Sequence, residues 1–196
     1  LVLLLCVSMV MSTVPVSAHA EESATSGTTG ACTWELVDGT LTIRGNGAMG
    51  EFNSSSSVPW YEYKDSITSV IIDTGVTSIG DSAFHYCTGL TSIKLPDSVT
   101  LIDDYAFFVC ENLESVNIPD GVTRIGEMAF ANCDSLKILV FPESVTSIGD
   151  YAFDRSTRDG LCIYVYKDSF AHELAQIIQT KHVVIGVDVY IGDVNG

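Results

Sequence analysis

The chain has 196 residues, 46% of them hydrophobic, enough for one core but with little room for two. Nine Lys and Arg against 25 Asp and Glu leave a formal charge of −16. That balance speaks against nucleic acid, whose phosphates require a basic footprint, and against anionic membrane surfaces; solubility is what the acidity supplies by itself.

In chain order, residues 1–20, LVLLLCVSMVMSTVPVSAHA, contain no charge, run apolar from Leu1 to Met11, and end with Ala18 and Ala20 at A-x-A spacing. This is the pattern of a secretory signal peptide, clipped at its front since neither Met nor a basic start precedes it. The apolar run is shorter than the roughly 20 residues of a spanning helix, so no membrane insertion is expected. Residues 21–30, rich in Ser, Thr and Gly, read as a flexible linker. Residues 31–64 read as an N-terminal cap. In it, Asp38-Gly39 divides the alternating runs of WELVDGTLTI as a β-hairpin turn would. Trp60, Tyr61 and Tyr63 of VPWYEY suit either aromatic core or a platform for a sugar.

Residues 65–158 repeat themselves. IGDSAFHYC from Ile79, IDDYAFFVC from Ile102, IGEMAFANC from Ile125 and IGDYAFDRS from Ile148 place Phe84, Phe107, Phe130 and Phe153 at a constant step of 23. The same step relates Val70, Ile93, Val116 and Leu139, and also Pro96, Pro119 and Pro142. Each unit opens with a short alternating segment closed by Pro, such as LTSIKLP at 90–96, which predicts a strand, and a second extended piece such as SVTLI follows. Gly80, Gly126 and Gly149 then permit a tight turn, with Asp103 in that place in the second unit. The acids Asp81, Asp104, Glu127 and Asp150 are expected to cap the backbone N–H groups of one helical turn, with cation binding along this ladder as an alternative. One unit cannot bury both its faces, so the units must stack, with the Phe side chains in a common column.

The 23-residue unit, with IP or LP, V-T-x-I-G, A-F and a trailing Cys, resembles the BspA-like leucine-rich repeat of secreted and surface bacterial proteins. The resemblance implies an α/β leucine-rich repeat solenoid: a parallel sheet of short strands, four coils, the hairpin as N-terminal cap and a strand and helix as C-terminal cap. Residues 159–186 supply the latter, with IYVYKDSFAHELAQ as closing strand and helix and Phe170, Leu174 and Ile177 at helical spacing. Residues 187–196 are a linker or the start of a truncated dockerin. YIGDVNG resembles the opening of such a module, in which Asp193 and Asn195 would be the first and third calcium ligands and cohesin the partner.

Chemistry is sparse. Cys32, Cys87, Cys110, Cys133 and Cys162 remain after the leader. The middle three share one repeat position, so parallel side chains hold their Cβ atoms too far apart for disulfides, and buried free thiols are expected. No metal spacing is present. His85, His172 and His182 have no nucleophile motif beside them, and no phosphate-binding Gly-rich loop occurs. No catalytic residue and no cofactor is therefore expected. Asn53-Ser54-Ser55 fits a glycosylation acceptor.

Alternation points Ser92, Lys94, Ser115, Asn117, Ile138 and Val140 outward from the strands, flanked by Asp97, Asp120 and Glu143. These six form the candidate binding surface for a protein or glycan ligand, Ile138 and Val140 being either an apolar contact or ground covered by the closing cap. The expected function is a secreted or cell-surface, non-catalytic recognition, adhesion or scaffold module. The alternative is the non-catalytic part of a larger extracellular, cellulosome-type enzyme or assembly attached through a downstream dockerin.

Overall fold

The computed structural model describes residues 25–52, 54–154, 156, 162–166 and 182–185. The chain winds into a solenoid whose coils each contribute one strand to a major sheet and one to a second sheet. The major-sheet strands are β1 (Thr25–Thr29), β2 (Cys32–Val37), β3 (Thr40–Gly45), β5 (Ser69–Ile72), β7 (Ser92–Lys94), β9 (Ser115–Asn117), β11 (Ile138–Val140), β13 (Cys162–Tyr166) and β14 (His182–Ile185). Strands β1 to β3 pair antiparallel, and every pair from β3 onward is parallel. The second sheet stacks β4 (Gly47–Ala48), β6 (Val76–Ile79), β8 (Leu101–Ile102), β10 (Arg124–Ile125) and β12 (Ser147–Ile148), all parallel. Helix among the described residues is confined to two 3-10 turns, Ser55–Ser57 and Tyr61–Tyr63.

The 23-residue step is the register itself. Val70 pairs with Ile93, Ile93 with Val116 and Val116 with Leu139, so equivalent residues sit side by side. The rings of Phe84, Phe107, Phe130 and Phe153 line up in the interior, with centroids 5.2, 5.1 and 5.8 Å apart and planes within 19° of parallel. All four are buried. Because each coil is thin, a ring can bury its faces only against the rings above and below it.

The leading segment is more than a lid. The Asp38-Gly39 turn forms the expected hairpin, with Val37 opposite Thr40, and both turn residues take positive φ, +47° and +74°. Strand β3 then runs parallel to β5, so the hairpin's second strand is also the first strand of the solenoid. Trp60 heads the aromatic column, stacked 6.2 Å from Phe84, and its buried indole N–H donates to the Ala83 carbonyl at 2.7 Å. Trp60 is thus core rather than a sugar platform, whereas Tyr63 is exposed.

Two expectations need correction and one needs refinement. The linker expected over 21–30 is, from Thr25 to Thr29, the outermost described strand of the major sheet, paired residue for residue with β2. Thr-Ser-Gly-Thr-Thr has the composition of a linker, and a partner strand makes it a strand. Second, tight turns do begin at Gly80 and Gly149, whose carbonyls accept from the Ala83 and Ala152 N–H groups at 3.2 and 3.4 Å, but the left-handed backbone in these turns is not at glycine. That conformation falls two residues later, at Ser82, Tyr105, Met128 and Tyr151, with φ between +50° and +57°. The glycines serve close approach: a Cβ on Gly80 would collide with the Gly50 carbonyl, and one on Gly126 or Gly149 with the backbone N of Asp104 or Glu127 in the preceding coil. Third, the acids do not cap their own turns. Asp104 accepts from the Glu127 N–H of the next coil at 2.8 Å, Glu127 accepts from the Tyr105 hydroxyl at 3.3 Å, and Asp81 accepts from Ser82. The turns contain no helix whose N–H groups need capping.

Beyond Phe153, Cys162–Tyr166 forms a strand beside β11, and β14 adds a parallel strand that the sequence did not announce. The expected signal peptide at 1–20, Asn53, the helix expected to carry Phe170, Leu174 and Ile177, and His172 lie outside the described residues. So do Asp193 and Asn195 in the segment 187–196.

Candidate recognition face

In β7, β9 and β11 the middle residues Ile93, Val116 and Leu139 are buried, while their neighbours are exposed. Alternation across a pleated sheet leaves no other arrangement once one face carries the core. The register places Ser92, Ser115 and Ile138 in one outward row and Lys94, Asn117 and Val140 in a second. The structure therefore brings the six predicted residues together on one surface, two residues wide and three coils deep.

The rows continue at both ends. Thr42 and Ile71 precede Lys94, and Tyr164 follows Val140. Ile71 is 49% exposed, Ile138 48% and Val140 39%. These neighbours were missing from the sequence prediction although the signal was present, since Ile71 lies one step of 23 before Lys94.

Charge on this face is mostly spoken for. Arg44 sits between Glu35 at 3.3 Å and Asp73 at 3.4 Å. At the far corner of the coils Arg124 bridges Asp103 at 2.8 Å and Asp104 at 2.9 Å. Lys94 has no ion pair among the described residues.

Nucleophilic chemistry finds little purchase in the geometry. All five cysteines among the described residues are free. Burial pushes the Cys87 and Cys133 thiols up to about 12 and Cys110 well above its usual value, and a thiol so placed is a poor source of thiolate. His85 stacks on Tyr86 at 4.5 Å and meets the edge of Phe108 at 5.0 Å; burial lowers its pKa, and neither ring nitrogen has a hydrogen-bond partner in the structure. Burial, offset by the Ser82 hydroxyl and reinforced by Asp103 and Asp104, raises the Asp81 pKa. Among the described residues no three His, Cys, Asp or Glu side chains converge as a metal site.

The comparisons agree with the geometry. The family model described as BspA type leucine rich repeat region matches residues 59–165 in six copies, more than half of the chain. The chain belongs to the BspA-type leucine-rich repeat family. A leucine-rich repeat protein from Eubacterium ventriosum is similar at 30% identity and a TM-score of 0.54, over 64% of this chain and 40% of that one. The leucine rich repeat protein of T. pallidum is 25% identical, with a TM-score of 0.52, over 70% of this chain and 71% of that one. A leucine-rich repeat protein from Bacteroides ovatus, 24% identical with a TM-score of 0.52 over 71% of this chain and 43% of that one, shares the fold. This chain therefore spans less than half the length of the first and third of these proteins. No curated protein matches it. The matched span extends beyond the four expected coils to include Trp60, which stacks on Phe84, and β13, which pairs with β11.

Proposed function

We propose that this protein is a secreted or surface-exposed recognition module, non-catalytic, which holds a protein or glycan ligand on the outward face of its major sheet. One observation carries the reading: Ser92, Lys94, Ser115, Asn117, Ile138 and Val140 occupy adjacent coils at fixed register, yet differ in chemistry from coil to coil while the inward residues between them stay apolar. A repeat that keeps its core and varies its surface presents a composite patch no single coil could make. The leader-like residues 1–20 support export, and no helix among the described residues is long and apolar enough to cross a membrane.

The test is an array of extracellular proteins and glycans probed with two variants of equal melting temperature. Lys94→Glu combined with Asn117→Arg and Val140→Arg is expected to lose capture. Tyr151→Lys, on the opposite turn side where Tyr151 is 65% exposed, is expected to keep it. Equal capture by both variants would overturn the assignment to this face.

A further inference from the structure

One place on the solenoid breaks the repeat. The Pro96, Pro119 and Pro142 column begins one coil late: the equivalent position in the first coil is Asp73. Asp73 pairs with Arg44 of the preceding strand, 3.4 Å away. Between the ends of β5 and β7 lies an open cleft of about 340 Å³, lined by Ile72, Thr74, Lys94, Leu95, Pro96 and Asp97.

We propose that this cleft takes the free carboxylate end of a peptide whose last side chain is aliphatic. Lys94 is the cation at the cleft. In a chain of charge −16 it stands, like Lys137, without an ion pair among the described residues, while Arg44, Lys64 and Arg124 are each paired. Asp97 lines the same cleft without pairing with it, so the two charges stay available to a ligand of opposite polarity at its two ends. A carboxylate accepts from the Lys94 ammonium and the Thr74 hydroxyl, and a backbone N–H of the ligand donates to Asp97. Pro96 is the accessible aliphatic side chain of the lining, since Ile72 and Leu95 are only 7% and 0% exposed. Among the described residues no aromatic ring lines the cleft to stack on a sugar, which favours a peptide end over an acidic glycan. A volume at the lower end of the range for small-ligand sites suits one residue and its terminus.

This inference rests on the outward face being a recognition surface, since Lys94 belongs to both, but its test is separate. The full chain, labelled with ¹⁵N, is titrated with N-acetylglycyl-leucine, with the C-terminal amide of the same dipeptide, and with glucuronate. Saturating shifts are expected at the amides of Ile72, Thr74, Leu95 and Asp97 with the free acid. Binding should be about fivefold weaker for the amide and for Lys94→Gln, the scale of one partly exposed ion pair. Lys137→Gln, which removes a charge elsewhere, should bind as the wild type does. Absence of saturation, equal binding of acid and amide, equal loss in both Lys variants, or glucuronate binding as tightly would each overturn the proposal. Array capture that still depends on the outward face, beside a failed titration, would remove the carboxylate site and leave the recognition face standing.

Discussion

Cys110 and Cys133 donate to the carbonyls of Phe84 and Phe107, both at 3.1 Å, and Ser156 in the same slot one coil on donates to Phe130 at 2.6 Å. The slot asks for a small buried donor, and thiol or hydroxyl will serve; reactivity plays no part. His85 is a different matter, because its ring is packed between Tyr86 and Phe108 with no acceptor to share a proton. With its folded-state pKa lowered by burial, the unfolded chain binds the proton more readily. His85 therefore leaves stability intact above its unfolded pKa of about 6.5 and subtracts from it as pH falls through the lower, folded value. Wild type should lose stability relative to His85→Phe in denaturant melts taken from pH 7 to pH 5. A constant difference between the two across that range would contradict it.

The turn that closes each coil is the element the sequence disguised. Ser82, Phe84 and Tyr86 donate their N–H groups to Asp104, Ala106 and Phe108 of the next coil at 2.8 to 3.0 Å, and Tyr105, Phe107 and Val109 repeat the pattern. To aim these donors along the stack, the first and third residue of each set adopt φ near +55° to +60°. Left-handed backbone costs an L-residue roughly 1–2 kcal/mol, here offset by an inter-coil hydrogen bond. Tyr151→Gly removes the penalty at an exposed position and should stabilise the protein by about 1 kcal/mol, whereas Tyr151→Ala should not; paired thermal melts would decide it. No sequence rule flags these positions, because Ser, Tyr, Met, Val and Asn share no chemistry and the stack imposes the conformation. The Phe column, the Pro corners and the Asp38-Gly39 hairpin were legible since period and residue type named them directly. Strand β1 was not, as pairing alone distinguishes it from a tether. The outward face followed from alternation, but the cleft beside Lys94 needed two coils in contact.

At the scale of the molecule, the aromatic column from Trp60 to Phe153 is one continuous object shared by every coil. Phe107 lies at its centre, 5.2 Å from one ring and 5.1 Å from the next. Phe107→Ala should cost about 3–5 kcal/mol and leave a loosened solenoid, and an unchanged melting temperature would contradict the stacking. The bonds that join the coils, by contrast, are strictly between neighbours: Phe84 reaches Ala106, Phe107 reaches Ala129, Phe130 reaches Ala152. Such a thread has no girder running its full height. Tugged from its two ends, it is loaded one rung at a time, so force peels the terminal turn while the rest stays wound, and its mechanical strength is that of a single junction however many turns are added.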